Sequence, residues 1–527
     1  MPTPRYTAPM NPSQYVGLIF LSAIAVAGCF YVYTHTGRWG FDDAFISYRY
    51  ALNFVAGHGL VFNPGEYVEG YSNFLYVMLM AFGLVFVDMG ELYVFSFLVN
   101  IAFVVGALWL FHGELRREFT GARLWGGALL FAACPLFWRA AWSGMETVMV
   151  LFLFMLLWRA VRRVHEDQIA NADLLLGAAC ALIVLARADG FVVTVITAAY
   201  FIFTLRWRAF AVVAGATAVT FGAQVFWRMV YYGYPLPNTV YAKVSGPLPL
   251  RLQYGWRLLR NLEMVHAYLA VILLVAAVGA LVIVFNRRDP RRLMPFEVFF
   301  ALSWLAYWLY IGGDIFRERF LLILVPLAVY LFVRHIVPAV PMGIIAAVLG
   351  ALILVQPFRT PGIVSEGSYG DSWRRLGLFL GDRHPDALIA VDAAGKIPYF
   401  SELRAIDMLG LTDEHIGQLD ITSEQFAPGH NKSDVAYVLG REPDLITGWA
   451  QLTPFGLGDK LSYEMLRGAG YEFAYMVHDL DVAPRHGPIV SAPNPSTPEG
   501  REAMQNLMFQ GYRYAVLARR GYAQPVE

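Results

Sequence analysis

Residues 15–50 read YVGLIFLSAIAVAGCFYVYTHTGRWGFDDAFISYRY. The apolar run Tyr15–Tyr33 approaches the roughly 20 residues that a spanning helix needs. It lacks a small-residue cleavage site, so it reads as a retained span and not a removed signal peptide. Directly after it stand two adjacent carboxylates, Asp42 and Asp43. A charge beside a bilayer is costly unless it is solvated or paired, which marks the pair as a functional-site candidate.

The rest of the chain agrees with a membrane protein. Of 527 residues, 57% are hydrophobic and 15% charged, with mean hydropathy +0.50. Soluble chains carry about 25% charged residues. The 40 basic and 40 acidic residues cancel, so no bulk charge draws the protein to nucleic acid. Cys29, Cys134 and Cys180 all lie in apolar segments and read as small buried hydrophobes, not as a disulfide or metal framework.

Further spans are expected near Leu92–Leu110, Leu124–Phe137, Met145–Trp158, Leu174–Ala186, Phe191–Leu205, Ala209–Phe226, Ala267–Phe285, Phe296–Ile311, Phe320–Val333 and Met342–Val355. Arginine clusters belong on the cytoplasmic side. The clusters at Arg116–Arg123, Arg159–Arg163, Arg206–Arg208, Arg287–Arg292 and Arg334 share one side only if the apolar segment Asn73–Val87 does not cross. That segment is then interfacial or re-entrant. The expected architecture is a polytopic α-helical domain over residues 1–356 with about eleven spans and its first external loop at 34–90. The N-terminus is inside and the C-terminus outside. From about Pro357 the composition turns rich in Gly, Pro, Asp and Glu. Strands are expected at Ala387–Val391, Asp444–Thr447, Phe473–Val477 and Tyr514–Leu517, with helices at Ser372–Leu380 and Pro498–Met508 and a loop around Pro484–Pro498. This pattern predicts a soluble mixed α/β domain over 357–527.

With that topology the unusual polar strings share the external face. A carboxylate within hydrogen-bond reach of a hydroxyl can act as its base. Asp42 is the candidate base, and Asp43 would orient the reactant or help hold a divalent cation (Mg, Mn or Ca) through oxygen ligands. Asp43 would equally serve as the N-cap of a helix starting near Ala44. Phe45, Tyr48, Leu52 and Val55 have helical spacing, which predicts an interfacial amphipathic helix over Ala44–Ala56. Arg187, Lys243, Arg317 and Arg319 are the external cations suited to a phosphate; local pairing, such as Arg187 with Asp189, is the simpler alternative. His58, Glu69, Glu146, Asn238 and Asp314 are candidate substrate contacts, each equally able to satisfy loop or helix-end groups. No histidine spacing suits a metal, and there is no P-loop, dinucleotide fingerprint or nucleophile elbow. A lipid-linked donor therefore fits better than a sugar nucleotide.

The strings Asp42-Asp43-Ala44-Phe45-Ile46-Ser47-Tyr48-Arg49-Tyr50, Gly57-His58-Gly59-Leu60-Val61-Phe62-Asn63-Pro64-Gly65-Glu66 and Val68-Glu69-Gly70-Tyr71 resemble the first external loop of the AftB-type terminal arabinofuranosyltransferases of the GT-C superfamily. Gly144-Met145-Glu146-Thr147, Arg187-Ala188-Asp189-Gly190, Leu236-Pro237-Asn238-Thr239 and Gly312-Gly313-Asp314 are similar too. The resemblance implies a GT-C fold in a bacterial inner membrane and a polyprenyl-phosphate-arabinofuranose donor, decaprenyl in actinobacteria. It also implies transfer on the periplasmic face, with the catalytic aspartate at Asp42. The acceptor, a cell-envelope glycan or a pilin-like protein, stays open. Another polyprenyl-phosphate sugar and, in a different class, a lipid or sugar transporter are the alternatives. Transporters commonly carry inverted repeats, and this chain shows none.

Overall fold

The computed structural model describes residues 9–166, 169–244, 246–260, 295–314, 317–335, 369–420, 429–452, 455–457, 461–479 and 487–522. The expected spans Ala267–Phe285 and Met342–Val355, the Arg287–Arg292 cluster and the domain boundary at Pro357 lie outside them.

Helix α1 (Pro12–Thr36) starts on a capping box: the Asn11 side chain accepts from Gln14 N–H at 2.9 Å, and the Gln14 side chain accepts from Asn11 N–H at 3.2 Å. At 25 residues it is about 37 Å long, more than the roughly 30 Å of a bilayer core. It is followed by α2 (Asp42–Val55), α3 (Phe74–Gly83), α4 (Leu92–Leu115), α5 (Gly121–Ala132), α6 (Pro135–Trp142), α7 (Thr147–His165), α8 (Ile169–Ala186), α9 (Gly190–Phe203) and α10 (Trp207–Tyr231). Then come α11 (Asn238–Val244), α12 (Leu248–Arg260), α13 (Phe296–Ile311), α14 (Arg317–Leu321) and α15 (Leu324–His335). Four segments are long and apolar enough to cross a membrane: Pro12–Thr36, Met89–Leu115, Gly121–Trp142 and Trp207–Tyr231. Five shorter apolar helices accompany them among the described residues. The expected span at Leu124–Phe137 is broken into α5 and α6, because Pro135 cannot continue the helix before it.

Helix α3 has ten residues, about 15 Å, half of what a crossing requires. The end of α1 and the start of α4 lie together: Tyr33 stacks on Tyr93 and Phe97, and Trp39 lies against Tyr93. Helices α2 and α3 therefore make no net crossing. At the opposite end of the bundle the arginines gather. Glu114, at the end of α4, is buried among Arg117, Arg159 and Arg162, and Glu118 pairs with Arg162 and Arg334. Arg208 pairs with Asp173 at 2.7 Å. Members of four of the five clusters thus share an end, as the charge pattern predicts.

The tail is a mixed α/β domain. It comprises α16 (Tyr369–Arg383), β1 (Leu388–Val391), α17 (Lys396–Ser401), β2 (Arg404–Asp407), α18 (Glu414–Gln418), α19 (Val435–Gly440), β3 (Leu445–Leu452), β4 (Phe455–Leu457) and β5 (Leu461–Ser462). It continues with α20 (Tyr463–Gly468), β6 (Tyr471–His478), β7 (Ile489–Ser491), α21 (Pro498–Phe509) and β8 (Tyr512–Arg519). The sheet order is β2-β1-β3-β8-β6-β7, with β1 parallel to β2 and β3 and the other pairs antiparallel. Side chains alternate along β8. Tyr514, Val516 and Ala518 join the core continuous with the helical domain, and Ala515 and Leu517 join a second core on the far face. The segment expected as a loop around Pro484–Pro498 contains β7.

One expectation about α2 is corrected. It does not lie on the membrane with one apolar face. Every residue from Ala44 to Ala51 is buried, because the tail covers the side that would face solvent. Tyr399 and Phe400 of α17 set their rings 5.3 and 5.4 Å from Phe45. The Arg49 guanidinium donates to the carbonyls of Phe62 at 2.7 Å, Leu403 at 2.6 Å and Pro398. A buried cation held by carbonyls from two parts of the chain, with the Asn63 side chain and the Phe62 ring beside it, makes α2 the seat on which the tail rests.

Candidate active site

The acidic pair opens α2. Phe41 is the cap position and donates its N–H to Ser143 O at 3.0 Å; Asp42 and Asp43 occupy the first turn, so Asp43 is not the cap. Before them Gly40 has φ +56°, and a Cβ there would lie 2.6 Å from the Tyr93 ring and 2.7 Å from Ser143 O. Only glycine permits the chain to turn this tightly against α4 and α6.

The two carboxylates face different partners. Asp42 points into the tail: its oxygens accept the N–H groups of Gly395 at 2.9 Å and Lys396 at 2.7 Å, where α17 begins. A Cβ on Gly395 would sit 1.9 Å from the Asp42 carbonyl oxygen, so this approach also requires glycine. The Lys396 ammonium is buried, donates to Gly40 O at 2.8 Å and lies over the Phe45 ring at 5.4 Å. Burial pushes the Asp42 carboxyl up to about 6, against the opposing pull of the Lys396 charge and of the N–H groups of Lys396 and Gly395. Burial likewise brings the Lys396 ammonium down to about 8. A second tail carboxylate, Asp392, takes a hydrogen bond from Tyr514 and is raised to about 6 by burial, with Asp42 adding to the rise. Asp43 instead keeps a quarter of its side chain exposed and faces Lys243, whose Nζ is 3.8 Å away.

Arg319 stands beside this pair, with Glu146, Asp314 and Asp43 as its acidic neighbours. Its Nη2 bonds Glu146, which also accepts from Asn73 at 2.8 Å, and Asn73 in turn accepts from Ser47 at 3.1 Å. Glu146 is therefore a buried hub that fixes Arg319. Arg187 is locked by Asp189, with Nε–Oδ1 at 2.6 Å, and its guanidinium lies 4.6 Å above Phe320. Among the described residues, three buried donors of this cluster have no hydrogen-bond partner: Arg319 Nε, Arg187 Nη1 and Thr147 Oγ1. Arg139, Thr147 and Arg319 line one narrow crevice with Phe41. Arg139 was not among the expected site residues, although an arginine just past an apolar run is a signal in itself. The side chain of Arg317 lies outside the described residues.

Two expected contacts make pairings within the scaffold, and a third lies away from the acidic pair. Glu69 is buried against Arg228 at 2.8 Å. Asn238 is buried and donates to the carbonyls of Gly410, Leu411 and Asp413, tying α11 to the tail. His58 is exposed beyond the end of α2, and the helix between places it about 20 Å from the acidic pair. Among the described residues no three His, Cys, Asp or Glu side chains form a metal-ligand set. Asp43 faces the Lys243 ammonium, which would compete with a divalent cation. These donors do not fit the expected cation.

A bundle of apolar helices thus carries carboxylates at its tail-capped end, with single arginine N–H groups that have no partner among the described residues. The chain superposes on ArnT from Cupriavidus metallidurans with a TM-score of 0.56 at 12% identity, covering 98% of this chain and 100% of that one. With the Archaeoglobus fulgidus oligosaccharyltransferase the TM-score is 0.53 at 14% identity, over 91% and 74%. These neighbours are GT-C enzymes, and what this chain shares with them is the fold.

Within this class the relatives are specific. The chain is 28% identical over 343 residues to the terminal β-(1→2)-arabinofuranosyltransferase of Mycobacterium tuberculosis, covering 58% of this chain and 53% of that protein. It is 25% identical over 366 residues to the enzyme of the same name from Corynebacterium glutamicum, covering 62% and 52%. The chain is thus similar in sequence to terminal arabinofuranosyltransferases and spans about half the length of the curated relatives it matches. Residues 363–492 of the tail match a domain of unknown function, DUF8728.

Proposed function

We propose that the protein transfers arabinofuranose from a polyprenyl-phosphate donor to a hydroxyl of a cell-envelope acceptor, on the periplasmic side of the bacterial inner membrane. The observation that carries this reading is the juxtaposition of the acidic pair with buried, unpartnered arginine donors. Asp42 takes the proton of the acceptor hydroxyl. The hydroxyl oxygen bonds to the anomeric carbon as the bond from that carbon to the phosphate oxygen breaks. A carboxyl near 6 is ionised at neutral pH yet basic enough to accept a proton in the transition state. The departing phosphate gains negative charge, and Arg319, Arg187 and Lys243, with Arg139 beside them, stabilise it. Arg319 and Arg187 are fixed by Glu146 and Asp189, so they need no reorganisation as charge develops. No step runs through a metal ion.

The deciding experiment incubates the protein with synthetic prenyl-phospho-arabinofuranose and a panel of glycan and pilin-like acceptors. Transfer is expected, and Asp42→Asn is expected to abolish it while donor binding persists. Turnover of a different prenyl-phospho sugar in place of this one would reassign the donor. Near-normal transfer by Asp42→Asn would remove it as the base.

A further inference from the structure

A groove of about 610 Å³ opens where the first loop, the α10–α11 turn and the tail meet. Ligand sites commonly enclose roughly 300–1,000 Å³. Glu66 and Tyr67 form one wall, Tyr234 a second, and Glu414, Tyr437 and Arg441 a third. Tyr67 is 52% exposed and is braced edge-on by Tyr231.

We propose that this groove holds the acceptor as an uncharged, hydroxyl-rich oligosaccharide; the proposal rests on the transferase reading above. The lining chooses among chemistries. It carries three carboxylates, Glu66, Asp413 and Glu414, beside Arg441 and His415, with Arg404 pairing Glu66 from outside, so it offers no excess of positive charge to hold a phosphate. Its apolar surface is mostly tyrosine ring, not the aliphatic wall that an acyl chain needs. Tyrosine faces suit the C–H surface of a sugar, and carboxylates accept from its hydroxyls through charge-assisted hydrogen bonds.

The polar groups are also held in place. Glu66 accepts from Asn63 at 2.8 Å and Arg404 at 2.7 Å. Tyr234 donates to Glu414 at 2.6 Å, Tyr437 donates to Asp413 at 3.0 Å, and Arg441 donates to Tyr437 at 2.8 Å. Acids already engaged in this way favour a neutral polyol over a basic peptide, which would have to displace Arg404 and Arg441 from Glu66. The groove also lies near the reacting carboxylates. A smaller recess beside it reaches Asn238 at the start of α11. Lys243, which faces Asp43, is five residues further along that helix, about 7.5 Å of rise. A glycan seated in the groove needs only a short reach to present its end to the acidic pair.

The test uses the full chain in lipid nanodiscs, arabinofuranosyl oligosaccharides from a disaccharide to a hexasaccharide, and Tyr67→Ala. Tyr67 is exposed and lies outside the charged cluster, so the fold and donor use are expected to survive. Hexasaccharide binding without donor, followed by tyrosine fluorescence and ligand NMR, is expected to weaken about tenfold in the variant. The KM for hexasaccharide should rise by the same factor, with kcat and the disaccharide KM unchanged. Tyr67-dependent oligosaccharide binding by a protein that turns over no donor supports the groove and refutes the transferase reading. Donor turnover with an unchanged hexasaccharide KM in Tyr67→Ala overturns the groove alone. So does preferential binding of a lysine-rich peptide over the oligosaccharide.

Discussion

Lys396→Met removes one charge beside Asp42 and leaves in place the backbone N–H groups that Asp42 accepts. The charged groups around Asp42 are Lys396 on α17, Asp43 on its own helix and Asp392 after β1, and Asp371 on α16 acts on Lys396 in turn. Of these only Lys396 draws the Asp42 carboxyl down. A close opposite charge is worth about 1–3 pKa units, so the smallest shift takes Asp42 from about 6 to about 7. At pH 6 its ionised fraction falls from about one half to about one tenth, and near pH 8.5 it stays almost fully ionised in both proteins. The variant should lose roughly fivefold in kcat/KM at pH 6 and almost nothing at pH 8.5. Lys396→Arg should restore the wild-type profile. The stability signs point the same way. Asp42 is raised from 3.8, so its contribution favours the folded state at low pH and is lost as pH rises through about 6. Lys396 is lowered from 10.5, so its contribution is present at high pH and lost as pH falls through about 8. Between those values both are charged and offset one another. The methionine variant should therefore lose most thermal stability above about pH 7, where its Asp42 ionises without a partner charge. The assay is transfer to a fixed acceptor across pH 5.5–9. An acid limb that stays put, or a loss of equal size at every pH, would refute the argument.

Gly395→Ala places a methyl group 1.9 Å from the Asp42 carbonyl oxygen, which forces α17 off α2. Transfer should fall by at least about a hundredfold, with rapid proteolysis of the tail and retained donor binding. Asn238→Ala deletes two amide donors that hold the tail carbonyls, a loss of about 2 kcal/mol in docking; a lower unfolding midpoint with donor KM unchanged is the expected reading. Lys243→Met should raise the donor KM about tenfold. The partly exposed pair with Asp43 is worth under about 1 kcal/mol, so an unfolding midpoint that drops with the activity would argue for a structural role instead.

The helical part of the fold was readable because its signal is local. Phe296–Ile311 comes out with the expected bounds, α9 falls within about two residues of its own, and α7, α8 and α10 run on into polar flanks at one end or both. In the tail, the four expected strands are β1, β3, β6 and β8, which carry the buried core of the sheet. The strands that escaped, β2, β4, β5 and β7, are two to four residues long. Segments that short take their conformation from pairing with a neighbour, not from a period of their own.

The site divides on the same ground. That Asp42, Asp43, Arg187, Lys243, Arg319, Glu146 and Asp314 gather near one end follows from topology, which the arginine pattern supplies. Which of them meets another protein group, and which is left for a ligand, is set by contacts remote in sequence. Asp42 finds its donors 353 and 354 residues away, and Asn238 finds its acceptors more than 170 residues away. Composition gives a charged residue its need for a partner but not the partner's address. The consequence for α2 is physical. Asp42 and Arg49 are satisfied largely by tail backbone, through Gly395, Lys396, Pro398 and Leu403. A helix carrying both would be poorly satisfied without the tail. The tail is therefore part of the proposed site: it supplies the hydrogen bonds that fix the direction of Asp42 and the charge that opposes the rise of its carboxyl.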